Sequence, residues 1–105
     1  MYDSVITPEQ LNEKINNGKE LYLVDMRPII NHLNSINSSH HIQSSKILDN
    51  PDLLPKDKTV ILYCGHGVDS FFLMNILIAD YGFSDIFSLK SGLEGWYKFV
   101  DELNQ

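Results

Sequence analysis

The run Thr59-Val-Ile-Leu-Tyr-Cys64-Gly-His-Gly-Val-Asp-Ser70 constrains this chain more than any other segment. Five residues suited to a buried β-strand lead into the only cysteine, two glycines follow within three positions, and an apolar helix then begins. A strand, a glycine turn and a helix in succession build an open α/β sheet, which binds its ligands at the carboxyl ends of the strands. Backbone N–H groups of such a turn curl around a sulfur placed there, and the next helix aims its positive end at the same point. These surroundings favour thiolate over thiol, so Cys64 reads as a nucleophile. The competing reading is a small core residue ending a strand, and it leaves the Gly65-His66-Gly67 turn unexplained.

The rest of the chain repeats the alternation. Ser4 to Ile6 suits a short edge strand, and Thr7-Pro8-Glu9-Gln10 reads as a helix start, with Thr7 as N-cap and Gln10 closing a capping box. Leu11 and Ile15 give that helix an apolar side and Gly18 ends it. Leu21 to Asp25 is a strand apolar enough to be buried on both faces. Pro28 to Ser45 is a long polar connection holding three of the four histidines, with a short helix expected around Ile29 to Leu33. Ile47 and Leu48 are read as a small strand, and Asp52 to Leu54 as a turn. Thr59 to Cys64 is the central strand, Asp69 to Tyr81 the following helix closed by Gly82, and Ile86 to Leu89 the last strand. Ser91-Gly92 turns into a terminal helix over Leu93 to Leu103, with Trp96, Phe99, Val100 and Leu103 at helical spacing. On the helix after Cys64, Leu73, Ile76 and Leu77 mark one side and Phe71, Met74 and Ile78 nearly the opposite one; both are expected to be buried. Strands separated by helical connections imply βαβ units and a parallel sheet.

A length of 105 residues suits one domain over 1–105. Eight basic against 14 acidic residues give −6 at pH 7, which argues against nucleic acid or a membrane surface as partner. Asn75 and Asp80 break the longest apolar runs, and Met1-Tyr-Asp-Ser has no secretory character. One cysteine makes no internal disulfide, so a reducing, cytoplasmic setting is expected; a monomer is expected as well.

Around the sulfur, the amides of Gly65, His66, Gly67, Val68 and Asp69 form the expected cradle, with Gly65 and Gly67 free to take positive φ. His66 is the loop side chain able to donate a proton or carry positive charge near neutral pH. Asp25 and Arg27 are expected to pair near the site and to fix the loop after their strand rather than take part in chemistry. His32, His40 and His41 have no cysteine or carboxylate at ligand spacing, and neighbours 40 and 41 point apart when extended. They are read as solvated loop residues, with His41 anchoring the loop by hydrogen bonding and no metal bound.

These motifs together resemble the single-domain rhodanese family over almost the whole chain. Cys64, Gly67 and Ser70 match a Cys-x-x-Gly-x-x-Ser loop, Asp25 and Arg27 an Asp-x-Arg pair after the second strand, and His41-Ile42 a His-Ile step before the third. Gly82-Phe83, Ile86, Leu89, Gly92 and Trp96 follow its C-terminal signature. The resemblance implies an α/β, rhodanese-like fold: a five-stranded parallel sheet flanked by helices on both faces. It also implies sulfurtransferase activity through a Cys64 persulfide. A small donor such as thiosulfate or a persulfide would supply the sulfur, and a thiol, cyanide or a protein would accept it, with no cofactor. Ser70, Asp25 and Arg27 would be supporting residues.

The chain departs from the pattern in two places. Gly65 stands where a basic residue often helps attract thiosulfate, and Asp69 where Ser, Thr or Arg is usual. Asp69 is expected to cap the helix, compete for the cradle amides and repel an anionic donor, which favours a persulfide or protein donor. The related cell-cycle phosphatases use Cys-x5-Arg, and here Ser70 replaces that arginine. The remaining alternative is a catalytically silent binding or regulatory module, against which the retained cysteine counts.

Overall fold

The strand Thr59–Tyr63 is buried at every position, so apolar material must cover both its faces. Val60 and Leu62 belong to a cluster with Val24, Leu73, Met74 and Leu77, whereas Ile61 and Tyr63 belong to a second one with Ile6, Leu11, Leu89 and Leu93. The two-residue period of an extended chain sends alternate side chains into these two cores.

A computed structural model of the chain describes residues 1–28 and 34–105. Among them, β1 (Val5–Ile6), β2 (Leu21–Asp25), β3 (His40–His41), β4 (Thr59–Tyr63) and β5 (Ile86–Leu89) form one sheet in the order β1-β5-β4-β2-β3. Each neighbouring pair is parallel. The register sets Leu21 beside Thr59 and Asp25 beside Tyr63, so β2 and β4 end together. The helices are α1 (Pro8–Asn16), α2 (Ser44–Asp49), α3 (Val68–Tyr81) and α4 (Gly92–Leu103). Ile47 of α2 and the buried side of α3 join the first core, while Leu11 of α1 and Leu93 and Trp96 of α4 join the second. The fold is therefore the expected parallel sheet with helices on both faces.

The local signals act as their chemistry requires. Thr7 Oγ1 accepts the Gln10 N–H at 3.1 Å and Gln10 Oε1 accepts the Thr7 N–H at 2.9 Å, which closes the capping box. Gly82 ends α3 at φ 74°. Buried Asn75 bonds the backbone of Tyr2 through both ends of its amide and the Phe71 carbonyl, tying the N-terminal segment to α3. Three expectations are corrected. Ile47 and Leu48 lie in the helix α2, with Ile47 fully buried. The strand of this region is instead His40–His41, two exposed residues paired with Val24 and Asp25. The third correction concerns α3, where Ile76 is not buried but 36% exposed. The helix expected around Ile29 to Leu33, and His32 with it, lie outside the described residues. Among the described residues no helix is long and apolar enough to cross a membrane.

Candidate active site

Cys64 follows the last residue of β4 and is 7% exposed. Its Sγ accepts the Gly67 N–H at 3.1 Å and the Ser70 N–H at 3.5 Å, with the Ser70 hydroxyl also at 3.5 Å. The first amides of a helix have no partner within it. Ser70 stands in the first turn of α3, so its N–H is free to meet the sulfur. Gly67 turns the chain at φ 93°, a left-handed conformation that glycine adopts without strain. Gly65, free to do the same, does not have positive φ. Of the amides of residues 65–69, the Gly67 N–H is the one that reaches Sγ, and the second donor is Ser70, one position beyond.

Behind Ser70 lies a residue that sequence reasoning missed. Ser70 Oγ is 2.7 Å from Ser88 Oγ of β5, and both side chains are buried. When Sγ is a thiolate, Ser70 donates to it and accepts from Ser88; when it is a thiol, the direction reverses. A hydroxyl residue in the otherwise apolar run Ile86-Phe-Ser-Leu89 was the available signal.

The turn into α4 closes the other side of the loop. The Leu93 N–H donates to the Cys64 carbonyl at 2.9 Å and the Glu94 N–H to the Gly65 carbonyl at 3.1 Å. Both helices thus direct first-turn amides at the same short loop.

The remaining loop side chains face elsewhere. His66 is exposed, and its Nδ1 lies 2.6 Å from Glu94 Oε2, an ion pair when the ring is protonated. Val68 is 58% exposed. Asp69 was expected to cap α3 and compete for the cradle; instead no side chain caps this helix, and Asp69 lines a groove with Leu48 and Phe72.

Asp25 ends β2 beside Tyr63, the residue before Cys64. Its fully buried carboxylate accepts from Arg27 Nη2 at 2.9 Å, Arg27 Nε at 3.1 and 3.2 Å, the Arg27 N–H at 3.0 Å and Ser35 Oγ at 2.6 Å. His41 Nε2 lies 2.8 Å from Ser35 Oγ and 3.5 Å from Asp25 Oδ2, so it anchors this loop. Burial by itself would push the Asp25 carboxyl up, but the hydrogen bonds from Arg27 and Ser35 outweigh it and hold it below its ordinary value. Donating to the Asp25 carboxylate in turn raises Arg27. Tyr63, also fully buried, is 2.7 Å from Ser39 Oγ through its hydroxyl and accepts the Ile36 N–H at 3.2 Å; burial pushes its phenol up. Asp25 and Tyr63 therefore hold the 34–39 segment against the sheet.

Among the described residues, no three His, Cys, Asp or Glu side chains are grouped to hold a metal ion. His40 stacks on Tyr22 with ring centroids 4.0 Å apart, while His41 turns to Ser35. A cavity of about 400 Å³ opens against the loop, lined among others by Gly67, Phe71, Ser88 and Lys90.

Fold and site together define a class: an open parallel α/β domain with a cysteine loop at the carboxyl end of its central strand. Within that class the chain belongs to the rhodanese-like domain family, whose model matches residues 7–99. It is 35% identical over 97 residues to the thiosulfate sulfurtransferase GlpE of Glaesserella parasuis, covering 89% of this chain and 85% of that one. It is also 35% identical over 98 residues to the probable adenylyltransferase/sulfurtransferase MoeZ of Mycobacterium tuberculosis, covering 90% of this chain and 25% of that protein. The chain thus spans about a quarter of the length of this mycobacterial relative. A rhodanese-related protein from Thermoplasma volcanium shares the fold, with a TM-score of 0.80 at 22% identity over 92% of this chain and 93% of its own.

Proposed function

We propose that the protein is a sulfurtransferase that carries sulfane sulfur on Cys64. The observation that carries this reading is the convergence of the Gly67 N–H, the Ser70 N–H and the Ser70 hydroxyl on one sulfur at a strand end. The two N–H groups donate to the sulfur, and the Ser70 hydroxyl, which accepts from the thiol, turns to donate once the sulfur is ionised. Such donors stabilise negative charge on a thiolate or on the terminal sulfur of a persulfide. Sulfurtransferase relatives similar along most of the chain support the same reading.

In the first step the Cys64 thiolate attacks the outer sulfur of the donor. A bond from Sγ to that sulfur forms, the donor's S–S bond breaks, and sulfite or a thiolate departs with the electron pair. In the second, a thiolate or cyanide attacks the outer sulfur of the persulfide, and Cys64 leaves as the thiolate it was. Ser70 acts by donating to the charged sulfur; Asp25 and Arg27 act by holding the neighbouring segment. His66 and Glu94 pair at the exposed rim of the loop.

The GlpE relatives' name makes thiosulfate a candidate donor here. Asp69 in the first turn of α3 and the net charge of −6 oppose a dianion, so a low-molecular-weight persulfide is expected to load Cys64 faster. Intact mass after incubation with either donor tests the function. The expected result is a gain of one sulfur atom that cyanide removes and that Cys64→Ala abolishes. A folded, reduced protein that takes sulfur from neither donor would overturn the proposal and leave the silent binding module.

A further inference from the structure

We infer that the face α3 shares with α2 is the docking surface for a cationic protein acceptor, whose thiol it delivers to Cys64; this rests on the sulfur-transfer reading above. Val68, Phe72 and Ile76 follow one another at intervals of four and so lie along one side of α3. They are 58%, 49% and 36% exposed. The opposite side of α3 is already committed to the core through Leu73, Met74 and Leu77. A helix with one buried side normally presents polar residues to water, and this one presents a valine, a phenylalanine and an isoleucine. Leu48 of α2 is 39% exposed and joins Ser44, Asp69, Phe72 and Ile76 around a groove of about 180 Å³. Contiguous exposed apolar residues of this kind mark interaction sites. The stripe begins at Val68, the residue after Gly67, whose N–H meets the Cys64 sulfur, so a partner lying along it reaches the cysteine loop.

Charge selects the occupant. Helix α3 contains no lysine or arginine; its ionised side chains are Asp69, which lines the groove, and Asp80, the next position at an interval of four after Ile76. Helix α2 adds Asp49 next to Leu48. Its Lys46 is two positions from both Ser44 and Leu48, roughly half a turn away from the groove side. A second copy would bring the same carboxylates against these, which disfavours a homodimer. The complementary partner carries an apolar side chain flanked by lysine or arginine. Cationic neighbours also lower the pKa of a cysteine, so the charges that dock the acceptor raise its thiolate fraction. That thiolate attacks the outer persulfide sulfur, the S–S bond to Cys64 breaks, and the Cys64 thiolate departs.

The test loads Cys64 with sulfur and follows its discharge by cyanide and by two short peptides, each with one cysteine. One peptide carries leucine and arginine around it, the other serine and glutamate. The wild type is expected to discharge to the first about tenfold faster than to the second, a gap that shrinks at high salt. Combining F72Q with I76Q is expected to slow the basic peptide about fivefold and leave the cyanide rate unchanged. L48Q and D80N give independent checks, and circular dichroism verifies folding. A serine analogue of the basic peptide, followed by fluorescence anisotropy, reads docking without chemistry and should bind the wild type more tightly than the double variant. Equal use of both peptides, or equal binding of the serine analogue by wild type and variants, would overturn the docking surface. So would a dimer in sedimentation that F72Q/I76Q dissociates. Failure of loading or of cyanide discharge would instead count against the sulfur-transfer reading and leave the anisotropy result to decide docking.

Discussion

Gly67 and Gly92 pack backbone against backbone. A Cβ on Gly67 would stand 3.1 Å from the Gly92 nitrogen and 2.9 Å from the Ser91 nitrogen, and a Cβ on Gly92 would stand 2.5 Å from the Cys64 carbonyl oxygen. Both residues have positive φ, 93° and 60°. This approach lets the first amides of α4 reach the Cys64 and Gly65 carbonyls, so the loop that presents the sulfur is held from behind.

Gly92→Ala therefore meets a rigid carbonyl as well as a left-handed backbone. The second costs about 1–2 kcal/mol and overpacking about 1–3 kcal/mol more. Urea denaturation should show a loss in that combined range, with sulfur loading impaired alongside. At Gly65, where φ is not positive and an added Cβ meets nothing within 4 Å, alanine should stay within about 0.5 kcal/mol of the wild type. Equal costs at the two positions would contradict the interlock.

Ser88 does not touch the sulfur and acts through Ser70. Ser88→Ala removes the 2.7 Å contact that orients the Ser70 hydroxyl. The loss of one such bond is worth about 1 kcal/mol, or roughly a fivefold slower loading of Cys64. In a double-mutant cycle with Ser70→Ala the effects should be strongly non-additive. Additive effects on loading, with matching losses of stability, would reduce Ser88 to a packing residue.

The Asp25 carboxyl is held below its ordinary value, so the folded state prefers it charged. Its contribution is complete above the ordinary aspartate value of 3.8 and is lost as pH falls through the lower folded one. Asp25→Asn removes a buried partner of Arg27 and is expected to cost about 3–5 kcal/mol at pH 7. The gap between variant and wild type should narrow below about pH 4, as the wild type also loses its charge. Melting temperatures across pH 2–7 check this, and a gap independent of pH would reject the linkage.

Tyr63→Phe keeps the ring in the core and removes the hydroxyl that holds Ser39 and the Ile36 amide. The expected cost is about 1–3 kcal/mol. Hydrogen exchange should speed up at the Ile36 amide first, while the amides of β4 stay protected.

The parts of the fold legible in the sequence are those where the local pattern and the final burial coincide. The capping box of Thr7 and Gln10, the buried run Thr59–Tyr63 and the Gly82 stop depend on neighbours a few residues away. Helix α2 was missed because its apolar pair, Ile47-Leu48, has no period of its own and Gln43 makes no side-chain cap. Strand β3 was missed because its two exposed histidines join the sheet only through backbone pairing with Val24 and Asp25.

What the sequence alone determined is the strand–turn–helix around Cys64, since a buried strand, glycine turn and apolar helix follow directly along the chain. Which groups surround and back that loop was decided by tertiary structure. Ser88 reaches Ser70 across 18 residues of chain because β4 and β5 are sheet neighbours. Glu94 meets His66, and Asp69 lies beside Leu48, because α4 and α2 pack where the topology brings them. Local preferences set which stretches can be strand or helix, whereas burial of two shared cores sets which stretches meet.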